Sequence, residues 1–213
     1  MRRLIIFLIL GSALSPLPVL AEESYPQEAL RNYTLIIERN PQDSSAYFYR
    51  GKIYVTLKEY EKALYDFTKS LELKPDTDAY IERGNVYYDL KEYEKALHDF
   101  DQAVEQNPED PVPYLTRGAT YHDLEQYEKA AKDYTKALEL EPDNTEAYYK
   151  RGRANYELKH YDQALLDFNH SLELNQTATG FHQRGMTYNK LQNYELALAD
   201  FEKAIAINPD YPD

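Results

Sequence analysis

Apolar and polar residues alternate at three-and-four spacing along most of the chain, the pattern of helices with one buried stripe. Residues 111–140 show it plainly. Tyr114, Gly118, Tyr121 and Leu124 share one face, and Tyr127, Ala130, Tyr134 and Ala137 share another. The spacing predicts helices from Pro111 to Leu124 and from Tyr127 to Leu140. Only Glu125 and Gln126 separate them, which forces an antiparallel hairpin. Pro142 has no N–H to donate and Asp143 caps well, so they close one hairpin and open the next. Helices this short are marginal alone in water. Their stripes need cover from neighbours, and stacked hairpins provide it.

The hairpin recurs. Gly stands at 51, 84, 118, 152 and 185, at spacings of 33 or 34 residues. Twelve residues after each comes Ala63, Ala96, Ala130, Ala164 or Ala197, and four further on Phe67, Phe100, Tyr134, Phe168 or Phe201. Pro75, Pro108, Pro142 and Pro209 close four units, with Gln176 in that place once. Gly inside a helix costs about 1 kcal/mol against Ala, so its recurrence marks a place where any side chain would collide. The adjacent aromatic is expected to fill the space so created.

These residues are similar to the tetratricopeptide repeat motif, here Tyr114…Gly118…Tyr121…Leu124…Tyr127…Ala130…Tyr134…Ala137…Pro142. The resemblance covers residues 42–209 in five units: 42–75, 76–108, 109–142, 143–176 and 177–209. It implies an all-α fold, a right-handed α-solenoid of about eleven helices. Residues 22–41 form an N-terminal half-unit, with a lone helix over 26–38 carrying Ala29, Tyr33 and Ile36 at the repeat positions. Residues 210–213 are a tail.

The N-terminus follows another logic. Arg2 and Arg3 precede an apolar run from Leu4 to Leu10, Pro16 and Pro18 break any helix, and Val19-Leu20-Ala21 has the small residues of a cleavage site. The run is too short to span a bilayer, so residues 1–21 read as a signal peptide and the protein as exported, periplasmic or secreted. Without Arg2 and Arg3 the mature chain holds 22 basic and 37 acidic residues, a formal charge of −15. That charge disfavours nucleic acid and anionic membrane surfaces as partners. With no Cys there are no disulfides and no thiolate metal site.

No catalytic constellation is evident. The five His form no i,i+4 pair, no phosphate loop or calcium loop occurs, and no cofactor or metal is expected. One charge pattern does recur. Arg50, Arg83, Arg117, Arg151 and Arg184 each precede the repeat Gly, while Asp66, Asp99, Asp133, Asp167 and Asp200 each follow the repeat Ala by three. Equal counts at similar heights on facing helices predict one Arg–Asp pair per unit.

In this family the first helices line a concave groove. The corresponding positions here, three before, one after and four after each Gly, are Phe48, Lys52 and Val55; Ile81, Asn85 and Tyr88; Leu115, Ala119 and His122; Tyr149, Arg153 and Tyr156; and His182, Met186 and Asn189. The resemblance therefore implies a non-enzymatic scaffold that binds a peptide segment of a partner protein, extended or helical, with Lys52 and Arg153 as carboxylate contacts. The chaperone-tail clamp of the family is not reproduced by Tyr49, Glu82, Thr116, Lys150 and Gln183, the residues two before each Gly. The alternative is a structural component that self-associates or docks through its last helix, where Ala197, Phe201, Ala204 and Ile205 lack a covering helix.

Overall fold

A computed structural model describes residues 20–209, of which 20–25 are described as backbone only. The described residues form eleven helices and no strand. They are α1 (Leu20–Arg39), α2 (Ser44–Thr56), α3 (Tyr60–Leu73), α4 (Thr77–Asp89), α5 (Tyr93–Gln106), α6 (Pro111–Asp123), α7 (Tyr127–Leu140), α8 (Thr145–Glu157), α9 (Tyr161–Leu174), α10 (Ala178–Lys190) and α11 (Tyr194–Ile207). The predicted leader lies outside the described residues except for Leu20 and Ala21, which begin α1. That helix starts six residues earlier than the spacing predicts and contains Pro26.

Local chemistry sets each boundary. Asp43, Asp76, Asp110, Asn144 and Thr177 stand before the first helices, and each side chain accepts a hydrogen bond from a first-turn amide. The first helices end in a recurring double bond. In the first unit Lys58 N–H donates to Val55 C=O and Glu59 N–H to Tyr54 C=O, the Schellman pattern. It needs a left-handed residue, supplied here without glycine by Lys58, Lys91, Glu125, Lys159 and Gln192 at φ of 57–61°. This turn reverses the chain and sets the angle at which the second helix returns.

Packing inside each hairpin rests on the repeat Gly. A Cβ on Gly84 would lie 2.6 Å from Phe100 Cε1, and one on Gly118 would lie 2.8 Å from Tyr134 Cε1. The same collision recurs at Gly51, Gly152 and Gly185 with Phe67, Phe168 and Phe201. Phe67, Phe100 and Phe168 are wholly buried, as are Ala63, Ala96, Ala130 and Ala164.

The expected Arg–Asp pairs form in all five units. Arg83 Nε and Nη2 donate to Asp99 at 2.8 and 2.7 Å, and Arg117 does the same to Asp133 at 2.8 Å. Each Arg also lies over the aromatic ring three residues before it, as Arg117 lies over Tyr114 at 5.5 Å. The remaining nitrogen does something one hairpin does not reveal. Nη1 of Arg50, Arg83, Arg117, Arg151 and Arg184 reaches back to Thr34, Thr68, Asp101, Thr135 and Asn169 on the preceding second helix. One guanidinium thus ties two helices of a unit to each other and to the unit before.

First helices touch successive first helices, whereas no two second helices meet among the described residues. The array therefore bends, with α2, α4, α6, α8 and α10 on its inner side. At the N-terminal end α1 packs on α2 as any second helix packs on the next unit. Tyr33 stacks on Tyr49 at 5.7 Å, and Ile37 is buried. Ile36, at the repeat's small position, is exposed; among the described residues α1 packs only on α2.

Candidate functional site

The fifteen predicted groove residues all lie on the inner first helices, but the structure treats them differently. Ile81 is a correction: only 7% of its surface remains exposed, so it belongs to the core and offers no ligand contact. Phe48 and Val55 pack against the cluster of Ala63, Phe67 and Val86, and Leu115 packs against that of Ala130, Tyr134 and Ala154. Tyr149 approaches Phe168, Tyr156 meets Tyr161, and His182 faces Phe201. Much of the apolar strip is thus half-buried between neighbouring units. Asn85 and Met186 are also half-buried, and Asn189 is exposed.

Lys52 already has an internal partner. Its ammonium sits 2.9 Å from Glu82, and that hydrogen bond holds it charged. An incoming carboxylate would have to displace an internal one. Arg153 differs: no described carboxylate comes within ion-pair distance of it, although its charge is felt by His122, Tyr127 and Tyr134.

Tyr88, Ala119, His122 and Arg153 come together around a cavity of about 110 Å³ at the middle of the concave side. Asp123, Tyr134 and Lys150 complete its lining. Ala119 leaves room where a larger side chain would fill the space. Tyr88 donates its phenolic hydrogen to Asp123 across one unit joint, and burial, with that bond, pushes its ionisation up. Lys150 lies 3.1 Å from Glu146 at the outer edge. His122 is held neutral, first by burial and then by the nearby Arg153. Its Nδ1 faces Asp123 at 3.8 Å, while Nε2 is buried without a hydrogen-bond partner.

Tyr134 is the informative omission. The other four units place Phe at this position, and Tyr134 alone adds a hydroxyl, which burial keeps protonated. The substitution was visible in the repeat but carries no meaning until the ring is seen to reach the groove. Lys150 and Asp123 were equally visible, yet only the offset between units brings them beside Arg153.

A larger hollow of about 940 Å³ lies on the other side, where α7 and α9 line it. Of its charged residues, Arg117, Asp133, Arg151 and Asp167 form the internal pairs, Lys136 pairs with Glu139, and Lys132 also lines it. The smaller inner cavity is the one lined by the predicted groove residues Tyr88, Ala119, His122 and Arg153. Among the described residues no group of His, Asp and Glu is arranged to hold a metal, and no helix is long and apolar enough to cross a membrane.

Comparison with known proteins gives this geometry a family. Residues 44–77, 77–110, 145–178 and 178–211 match family models described as tetratricopeptide repeat, and residues 118–159 match one described as TPR repeat. The crystal structure of YrrB, described as a TPR protein with an unusual peptide-binding site, superimposes with a TM-score of 0.73 at 31% identity. The match covers 84% of this chain and 93% of YrrB. MamA from Desulfovibrio magneticus RS-1 shares the fold at a TM-score of 0.74 and 17% identity, over 80% of this chain and 97% of that one. A curated UDP-N-acetylglucosamine–peptide N-acetylglucosaminyltransferase of Giardia intestinalis is 38% identical over 58 residues, 27% of this chain and only 4% of that enzyme. Repeat spacing, hairpin packing and these matches agree: the chain belongs to the tetratricopeptide repeat family.

Proposed function

We propose that this protein is a non-enzymatic scaffold of an exported compartment, holding a peptide segment of a partner along its concave face. The observation that carries the reading is Arg153. In a chain with 37 acidic and 24 basic residues, this guanidinium lines a central cavity without a carboxylate of its own. Arg matches a carboxylate with two parallel donors and stays charged at any physiological pH. An acidic side chain of the bound segment seats there, with the Tyr134 hydroxyl beside it. Half-buried Tyr88, Tyr149 and Tyr156 give apolar contact on either side. YrrB, as a peptide-binding TPR protein, supports the choice of ligand class.

The test uses paired fluorescent peptides that differ only in Glu or Gln at one central position. Arg153→Glu is expected to weaken the Glu peptides by about tenfold or more and to spare the Gln peptides, since one lost charge-assisted pair is worth roughly 1.5–3 kcal/mol. Equal loss for both sets, or no peptide binding to the parent protein, sinks the reading.

His122 gives the site a pH response. In the free protein its imidazole titrates below the ordinary value, so the unfolded chain takes up that proton first. Stability is therefore lost as pH falls through about 6.5 toward the folded value. A bound carboxylate offsets the repulsion from Arg153 and favours the charged ring. Glu-peptide affinity should accordingly rise from pH 7.5 to 6, and His122→Gln should flatten the rise. A flat profile in the parent protein excludes this role for His122.

The exported compartment rests on the N-terminal pattern alone. Sequencing the protein recovered from its source should begin at Glu22, and an intact Met1 would remove that part of the proposal.

A further inference from the structure

The internal joints define what kind of surface covers a second helix. On each second helix the residues four, eight and eleven after the repeat Tyr face the next unit. In α9 these are Leu165, Asn169 and Leu172. The covering first helix answers with residues at i, i+4 and i+7: a small one, the ladder Arg, and a small or β-branched one. In α10 these are Gly180, Arg184 and Thr187. Arg184 Nη1 donates to Asn169 at 2.7 Å, and a Cβ on Gly180 would meet Leu172 at 2.8 Å. The same i, i+4, i+7 set appears in α2, α4, α6 and α8, and each buries the second helix before it.

On α11 the matching residues are Leu198, Glu202 and Ile205. Leu198 and Ile205 remain 60% and 46% exposed, whereas four of the five equivalents of Ile205 at earlier joints, Ile37, Leu71, Leu138 and Leu172, are 4–9% exposed, and the fifth, Val104, is half-buried. Glu202 stands where Thr, Asp or Asn accepts the next arginine, and it too is exposed. The face has the register of an interior joint and presents a full carboxylate to the arriving cation.

We propose that the open face of α11 is a second docking site, separate from the concave groove, for a helix of another polypeptide carrying a small residue, an Arg and a small or β-branched residue at i, i+4 and i+7. A second copy of this chain is a poor occupant. All five of its own faces of this kind are already engaged in internal joints through their arginines. Pairing α11 with itself would set Glu195 and Glu202 against the same acids, with Lys203 as the only cation on either helix. The continuity of the joint fixes the geometry of the partner helix, and Glu202 fixes the sign of its charge.

The test takes the full chain and two alanine-based helical peptides. One carries Ala, Arg and Val at i, i+4 and i+7, and its twin has Glu in place of Arg. The Arg peptide is expected to bind saturably, with the twin weaker by about tenfold. Glu202→Lys should reverse that preference, and Leu198→Asp should abolish binding while circular dichroism stays unchanged, because Leu198 is exposed. Arg153→Glu should leave this binding untouched, which separates the result from the groove. Equal affinity for the two peptides, or indifference to Leu198→Asp, overturns the proposal. A dimer at micromolar concentration that Leu198→Asp returns to monomer overturns it as well, since a second copy would then own the face.

Discussion

Phe100→Ala is expected to destabilise the protein by about 3–5 kcal/mol, read as a shift in chemical denaturation, since a fully buried ring leaves a cavity. The stronger prediction concerns its neighbour. Gly→Ala in an open helix gains about 1 kcal/mol. Gly84→Ala should do the opposite, because its Cβ would sit 2.6 Å from Phe100 Cε1 and the ring has no free volume to retreat into. In a Phe100→Leu background the obstruction shrinks, and Gly84→Ala should then recover part of the loss. The two changes are coupled with opposite sign to their separate effects. Simple additivity would show that Gly84 is not held by the ring.

Such contacts were legible in the chain because each is internal to one hairpin and repeated five times. Gly51 with Phe67 and Gly185 with Phe201 obey one spacing, so one physical reason serves them all. The Arg–Asp pairs were readable on the same ground. What spans two units was not. The third contact of each Arg, such as Arg83 to Thr68, depends on the angle between hairpins, which no period of apolar residues encodes. The groove suffered from the same gap. Ile81 and Tyr88 sit on one face of α4, yet curvature buries the first and leaves the second lining a cavity. Lys52 and Arg153 occupy the same repeat position, and only Glu82 on the adjacent helix tells them apart. A repeat pattern gives the interior of the unit, and individual substitutions such as Tyr134 gain meaning only after the units are placed side by side.

Breaking the ladder tests how units hold one another. Arg117→Ala strips its partner from Asp133, whose side chain is only 8% exposed, and releases Asp101 on the preceding unit. Leaving a buried carboxylate unpaired costs about 3–5 kcal/mol. Asp133→Ala added to Arg117→Ala should cost no more and is expected to return part of the loss, because the stranded charge is then gone. A double mutant whose cost equals the sum of the singles would mean the pair does not act as a unit. The consequence should also depend on place in the array. Stability in stacked repeats is a sum of units and nearest-neighbour joints, so a failed joint in the middle divides the molecule. Arg117 lies at the α5–α6 joint, with folded units on either side, whereas Arg184 binds Asn169 and Asp200 at the last one. Arg117→Ala should therefore broaden unfolding into two transitions and raise hydrogen exchange on both flanks. Arg184→Ala should fray α10 and α11 alone and leave α2 to α8 protected. Equal exchange profiles for the two variants would show that the arginines fasten each hairpin internally and carry nothing from one unit to the next.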